Sequence, residues 1–154
     1  MKRNLAVPLK NILSLNRVIF TDETDYREVL NRLVEEICKS PAIKNSQEFQ
    51  DEIMKREDFF PVNIGFGIVI SHVRLQSITD FVLSVGVCNK PIKNKMVADD
   101  SPIRLIFMLA SPHNNHAVHL QTLSELCIRL QDDDFRNRLF SASSPKEFLC
   151  SLTG

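Results

Sequence analysis

Three apolar runs in the middle of the chain constrain its fold more than any other feature. Ile68-Val69-Ile70, Phe81 to Val87 and Ile103 to Leu109 are β-branched or apolar and are bounded by Gly, Asn, Asp and Pro. Runs of that length without polar alternation predict buried strands. Helical periodicity lies on either side of them. Tyr26, Val29, Leu30, Leu33, Val34 and Ile37 recur at the spacing of one helix face, with Asp25 and Glu28 as a capping pair and Ser40-Pro41 as a stop. A weaker helix is expected from Gln47 to Arg56, with Phe49 and Ile53 facing inward. Pro8 is expected to open a short helix carrying Leu9, Ile12 and Leu13 on one face, and Val18-Ile19-Phe20 reads as a short strand. In the last third, His119 to Leu130 is expected to gather Leu120, Leu123, Cys127 and Leu130 on one side. Ser144, Pro145 and Glu147 mark a final helix start, with Glu147 reaching back to the cap amide. Strands interleaved with helices predict an α/β sandwich with a mixed sheet.

The 154 residues fit one domain, taken as residues 1–154, and suffice to bury a real core. Lys+Arg and Asp+Glu both number 19, so the formal net charge is zero, which argues against a general nucleic-acid binder. Cys38, Cys88, Cys127 and Cys150 form no Cys-x-x-Cys pair and read as reduced thiols. No apolar run approaches bilayer-spanning length, and Pro8, Lys10 and Asn11 interrupt any signal-peptide core. A cytoplasmic location without membrane insertion is therefore expected.

Two segments carry candidate chemistry. In Gly65-Phe-Gly-Ile-Val-Ile-Ser-His72 the glycines permit a tight turn, the apolar triplet forms a strand, and His72 is expected at the strand's carboxyl end, where α/β sheets hold ligands. The Gly-x-Gly precedes the strand and lacks the helix start of a dinucleotide loop. The second segment is Ser111-Pro-His113-Asn-Asn-His116-Ala-Val-His119. Three imidazoles invite a zinc hypothesis, but the spacing matches no familiar zinc motif and the first two lie in a loop. No metal and no other cofactor is expected. His119 opens a helix near the same sheet edge, and it is expected to face a polar cleft and add little to the core. Two histidines so placed suit phosphoryl transfer. A neutral imidazole is a good nucleophile, and the transferring group needs positioned donors such as a second imidazole N–H, backbone amides and an arginine.

From about Leu5 to the C-terminus the chain resembles the EIIA domain of the fructose/mannitol class of the bacterial phosphotransferase system. The matching features are Arg56-Glu57, Gly65-x-Gly-Ile-x-Ile-x-His72, Pro91-Ile92, Asp100-x-Pro-Ile-x-Leu-Ile-Phe, Ala110-x-Pro, His119-Leu-x-x-Leu-x-x-Leu, Phe135-Arg and the terminal Ser-Pro-x-Glu helix. Within that family, His119-Leu-Gln-Thr-Leu-Ser resembles the nitrogen-regulatory branch. The resemblance implies a mixed sheet with helices on both faces and a phosphocarrier activity. It implies phosphorylation of His72, at Nε2, with His119 as a helper that stabilises the phosphate. Arg56, Glu57, Ser71 and Arg74 are the implied phosphate or structural support.

The chain departs from the family pattern at two places. Ser71 stands where the family usually has proline, and is expected to free the loop and add an N–H beside the phosphate. Pro61-Val62-Asn63 stands where the family usually carries Ser-Thr-Gly, so a hydroxyl is missing. The implied donor is a histidine phosphocarrier protein (HPr-like), and the implied acceptor is a regulatory target protein or an EIIB domain. Three readings stay open. They are a regulatory phosphocarrier, a sugar-transport EIIA passing phosphate to an EIIB cysteine, and a non-transferring binding module of the same fold. Because no EIIB or membrane domain is fused to it, the first is the expectation.

Overall fold

A computed structural model of the chain describes residues 6–59, 63–93 and 101–154. The apolar middle of the sequence builds a sheet from β1 (Val18–Thr21), β2 (Asn63–Gly65), β3 (Ile68–Leu75), β4 (Val82–Ile92) and β5 (Ile103–Pro112). Their order is β1-β4-β5-β3-β2. β5 runs parallel to β3 and antiparallel to β4, while β1 is parallel to β4 and β2 antiparallel to β3, so the sheet is mixed. β5 has a strand on each side and is buried at every position but Arg104, which is why its sequence shows an unbroken apolar run.

Side chains alternate across β3, and the alternation sorts the core into two layers. On one face, Val69 and Val73 pack with Ile106 and Met108 of β5 under α1 (Tyr26–Ile37) and α2 (Ser46–Phe59), which contribute Leu33, Ile37, Phe49 and Ile53. On the other, Ile68 and Ile70 pack with Leu105 and Phe107 under α3 (His116–Leu130), α4 (Asp133–Ser141) and α5 (Pro145–Thr153). Helices thus cover both faces, as the family resemblance implies.

Local signals account for most boundaries. Asp25 caps α1 by accepting from the Arg27 amide. Ser144 caps α5 by accepting from the Glu147 amide, but the Glu147 carboxylate reaches Ser143 N–H and hydroxyl, one residue earlier than expected. Between β2 and β3, Gly65, Phe66 and Gly67 all have positive φ, at 86°, 60° and 76°. Gly67 has a further reason to be glycine: a Cβ there would stand 2.4 Å from the Pro102 carbonyl oxygen. The Phe66 ring is covered by the Arg136 guanidinium, 3.6 Å from its centroid.

Several expected elements differ in extent. Pro8 precedes only a short 3-10 turn, Leu9–Asn11, although Ile12 and Leu13 are buried. α2 continues to Phe59, β4 to Ile92 and β5 to Pro112. Helix α3 starts at His116, three residues early, and is rotated from the expected face. It buries His119, Thr122, Leu126 and Leu130, whereas Leu120 is 50% exposed and Leu123 and Cys127 are half-buried. The physical reason is polar. Thr122 accepts from the Val7 amide while donating to the Val118 carbonyl, and His119 is hydrogen-bonded inward, so two polar residues occupy the face the apolar pattern would claim. Among the described residues no helix is long and apolar enough to cross a membrane.

Candidate active site

His72 does not end its strand. Parallel pairing of β3 with β5 continues three residues further, to Leu75 beside Pro112, so His72 lies inside β3 opposite Leu109. Among the described residues β2 pairs β3 only at Ile68 and Val69, so His72 belongs to the half of β3 that has a strand neighbour on one side alone. Alternation puts Ile70, His72 and Arg74 on the α3 face, and on β5 it puts Leu109 and Ser111 there too.

The first turns of α3 lie over these residues and bring in His119. Its Nε2 is 3.1 Å from Nδ1 of His72, with the ring centroids 5.1 Å apart and the planes tilted by 49°. Its other ring nitrogen, Nδ1, is 2.7 Å from the Ser111 hydroxyl. His119 is 2% exposed and Ser111 fully buried, while His72 is half-buried. A hydrogen-bonded line therefore runs from the sheet interior, Ser111 to His119 to His72, and ends at a half-exposed imidazole. The expected polar cleft around His119 is corrected by this burial. Arg74 donates from Nη1 to the His113 carbonyl at 3.1 Å, and the His113 amide donates to Leu75, which ties the β5–α3 turn to β3.

Burial pushes the His119 imidazole down to about 4, and electrostatic coupling to His72, Arg74, His116 and Arg56 adds to it in that order. The His72 imidazole is lowered as well, by burial first and then by the guanidiniums of Arg56 and Arg74. Both rings are therefore neutral at pH 7, each with one proton and one lone pair. A neutral imidazole beside two cations suits attack on an anionic centre, because the same charges that repel a ring proton attract a phosphoryl group.

The structure distributes the other candidate residues unevenly. Arg56 is exposed on α2, close enough for its charge to act on His72. Glu57 is buried and faces elsewhere: it accepts from the Tyr26 hydroxyl at 2.7 Å and braces α1 against α2. Burial first, and then that carboxylate, hold the Tyr26 phenol far above its usual range. Ser71 is a correction. It sits in the middle of β3 rather than in a loop. Its side chain points to the α1–α2 layer, opposite His72, and its hydroxyl is buried without a partner among the described residues. Pro61 and Val62 lie outside the described residues. His113 and His116 are exposed, while His119 turns inward, so the three imidazoles diverge. Ser111 was not singled out from the sequence. The signal available was its place after Leu105, Phe107 and Leu109 in the α3-facing series of β5, where a polar residue breaks an apolar face.

Comparison with known proteins shows which family the chain belongs to. The family model described as "Phosphoenolpyruvate-dependent sugar phosphotransferase system, EIIA 2" matches residues 11–153. The chain is 29% identical to the nitrogen regulatory protein of Klebsiella oxytoca over 151 residues, 96% of this chain and 91% of that protein. It is 28% identical over 130 residues to the 2-O-alpha-mannosyl-D-glycerate-specific EIIABC component of Escherichia coli, covering 84% of this chain but only 20% of that protein. In fold it is similar to the nitrogen regulatory protein IIA-Ntr of Neisseria meningitidis, with a TM-score of 0.83 at 22% identity over 94% of this chain and 99% of that one. It is also similar to IIA mannitol of Escherichia coli, with a TM-score of 0.74 at 19% identity over 91% and 98%. The match over nearly all of the chain, with the sheet order and helical layers described above, shows that the protein belongs to the EIIA 2 family of the phosphoenolpyruvate-dependent sugar phosphotransferase system.

Proposed function

We propose that this chain is a phosphocarrier that takes a phosphoryl group onto Nε2 of His72 from the phosphohistidine of a small HPr-like carrier protein. The contact between His72 Nδ1 and His119 Nε2 carries the reading, because it engages one nitrogen of His72 and leaves the other for chemistry. In the transfer, the Nε2 lone pair of His72 forms the new N–P bond. The donor's N–P bond breaks, and its electron pair returns to the donor imidazole. The reaction needs little covalent machinery beyond alignment and charge stabilisation. The product ring is cationic, with its proton on Nδ1, and His119 Nε2 is the acceptor for that proton's hydrogen bond. His119 thus helps through the ring of His72, where a direct bond to the phosphoryl oxygens was the expectation. Arg56 and Arg74 offset the incoming negative charge.

A regulatory role, in which the phosphorylation state decides which target protein is bound, is supported by the nearly end-to-end match to the nitrogen regulatory protein. Transfer to an EIIB cysteine is the second reading. A structure titled as a complex of Escherichia coli IIA mannitol with phosphorylated IIB mannitol shares this fold, with a TM-score of 0.73. A cytoplasmic location goes with either reading, and neither calls for a metal or other cofactor.

Incubation with the phosphorylated carrier should add one phosphoryl group, labile in acid and stable in base, and His72→Ala should add none. Equal labelling of the two proteins would move the acceptor elsewhere and end this reading. Phosphorylated protein mixed with EIIB domains then separates the two acceptors: loss of label to a cysteine favours transport, and retention favours regulation.

A further inference from the structure

The histidine pair by itself leaves one choice open. A single proton lies between His72 Nδ1 and His119 Nε2, and it is bonded to one ring or the other. If it belongs to His119, then neutral His72 must carry its own proton on Nε2 and has no lone pair there. If it belongs to His72, Nε2 is bare and nucleophilic, and His119 must carry its proton on Nδ1. A free imidazole side chain prefers its proton on Nε2, so the productive arrangement holds both rings in their less favoured tautomer. Something must hold them there. Nδ1 of His119 points at the Oγ of Ser111, 2.7 Å away, and both groups are shut off from water. The hydroxyl can donate to a bare Nδ1 or accept an Nδ1–H, and an N–H in such a place without an acceptor would be heavily penalised.

We infer that Ser111 is a positioning residue: by accepting the Nδ1–H of His119 it makes possible the pair of tautomers that leaves His72 Nε2 bare for phosphoryl acceptance. The inference rests on the phosphocarrier reading, which requires that pair of tautomers, while the two contacts fit either pair. A hydroxyl in this place acts as the orienting partner of a histidine that itself orients another. Ser111 reaches no reacting atom.

The test reads tautomers directly. In 15N-histidine-labelled protein, protonated and bare ring nitrogens differ widely in shift, and long-range correlation spectra assign both rings. At neutral pH the wild type should carry both protons on Nδ1. Ser111→Val should move both to Nε2 and slow phosphorylation by the carrier about tenfold or more. Ser111→Thr, nearly isosteric with Val but keeping the hydroxyl, should restore both tautomers and rate. A purely packing role for Ser111 would make Thr and Val behave alike, which would overturn the inference. So would a wild-type spectrum with the His119 proton on Nε2, a result that needs no variant to fold. The spectra require no phosphoryl donor. If Ser111→Val flips the tautomers while the wild type never takes phosphate, the positioning stands and the phosphocarrier reading falls.

Discussion

His119 has both ring nitrogens engaged and almost no access to water, and this sets a measurable pH dependence. Its folded value of about 4 lies below the unfolded value near 6.5, so between those limits the unfolded chain binds a proton that the folded chain refuses. Stability is therefore unaffected by this group above pH 6.5 and falls as pH drops toward 4, by on the order of 3 kcal/mol. Urea titrations at pH 7 and pH 4 should show His119→Gln losing less stability than wild type by about that amount. Equal losses would mean that the imidazole charges freely in the folded state. Ser71 makes the opposite kind of test. Its hydroxyl is buried, without a partner among the described residues, and on the far side of the sheet from His72. Ser71→Ala should therefore hold or raise the urea midpoint, because an unpaired buried hydroxyl costs about 1–3 kcal/mol. It should also leave the rate of phosphorylation by the carrier unchanged.

At the scale of elements, strand β3 and helix α3 together make the candidate site, and what fixes each one matters. β3 is launched by the Gly65–Gly67 turn and held beside β5 from Ile68 to Leu75. Gly67→Ala would force a Cβ onto the Pro102 carbonyl and an alanine into the left-handed region. The second effect alone costs about 1–2 kcal/mol, so a fall in stability of more than about 2 kcal/mol is expected by urea unfolding. On the other face, the Tyr26–Glu57 hydrogen bond joins α1 to α2 just beyond Arg56. Tyr26→Phe leaves the Glu57 carboxylate buried without that donor and should cost about 1–3 kcal/mol, read from the same measurement. Helix α3 shows why faces are harder to foresee than elements. Its apolar stripe through Leu120, Leu123 and Cys127 was legible, yet tertiary hydrogen bonds to Thr122 and His119 turned another face inward.

Over the whole molecule the formal net charge is zero, so steering of a partner depends on where charges lie, and Arg56 and Arg74 are the guanidiniums that act on His72. Phosphorylation by the carrier should slow as salt rises from about 0.02 to 0.5 M, since screening shortens to a few ångströms. Arg56→Gln and Arg74→Gln should each flatten that dependence, and an unchanged slope would place the attraction elsewhere. Much of this architecture was written in the order of residues. The β-branched runs had to become buried strands, the spacing of Val29 to Ile37 had to become a helix, and their alternation had to become a layered sheet, because each follows from periodicity and burial along a few neighbouring residues. Which strand lies beside which was not local, and neither was anything that depended on it. His72 and His119 are 47 positions apart, and only the parallel placement of β3 against β5, with α3 folded back over both, brings their rings to 3.1 Å. The same packing sent Ser71 to the face opposite the histidine pair and put Ser111 beneath that pair. A side chain's face and partners are set by register and by the elements that cover it, and those are properties of the assembled sheet.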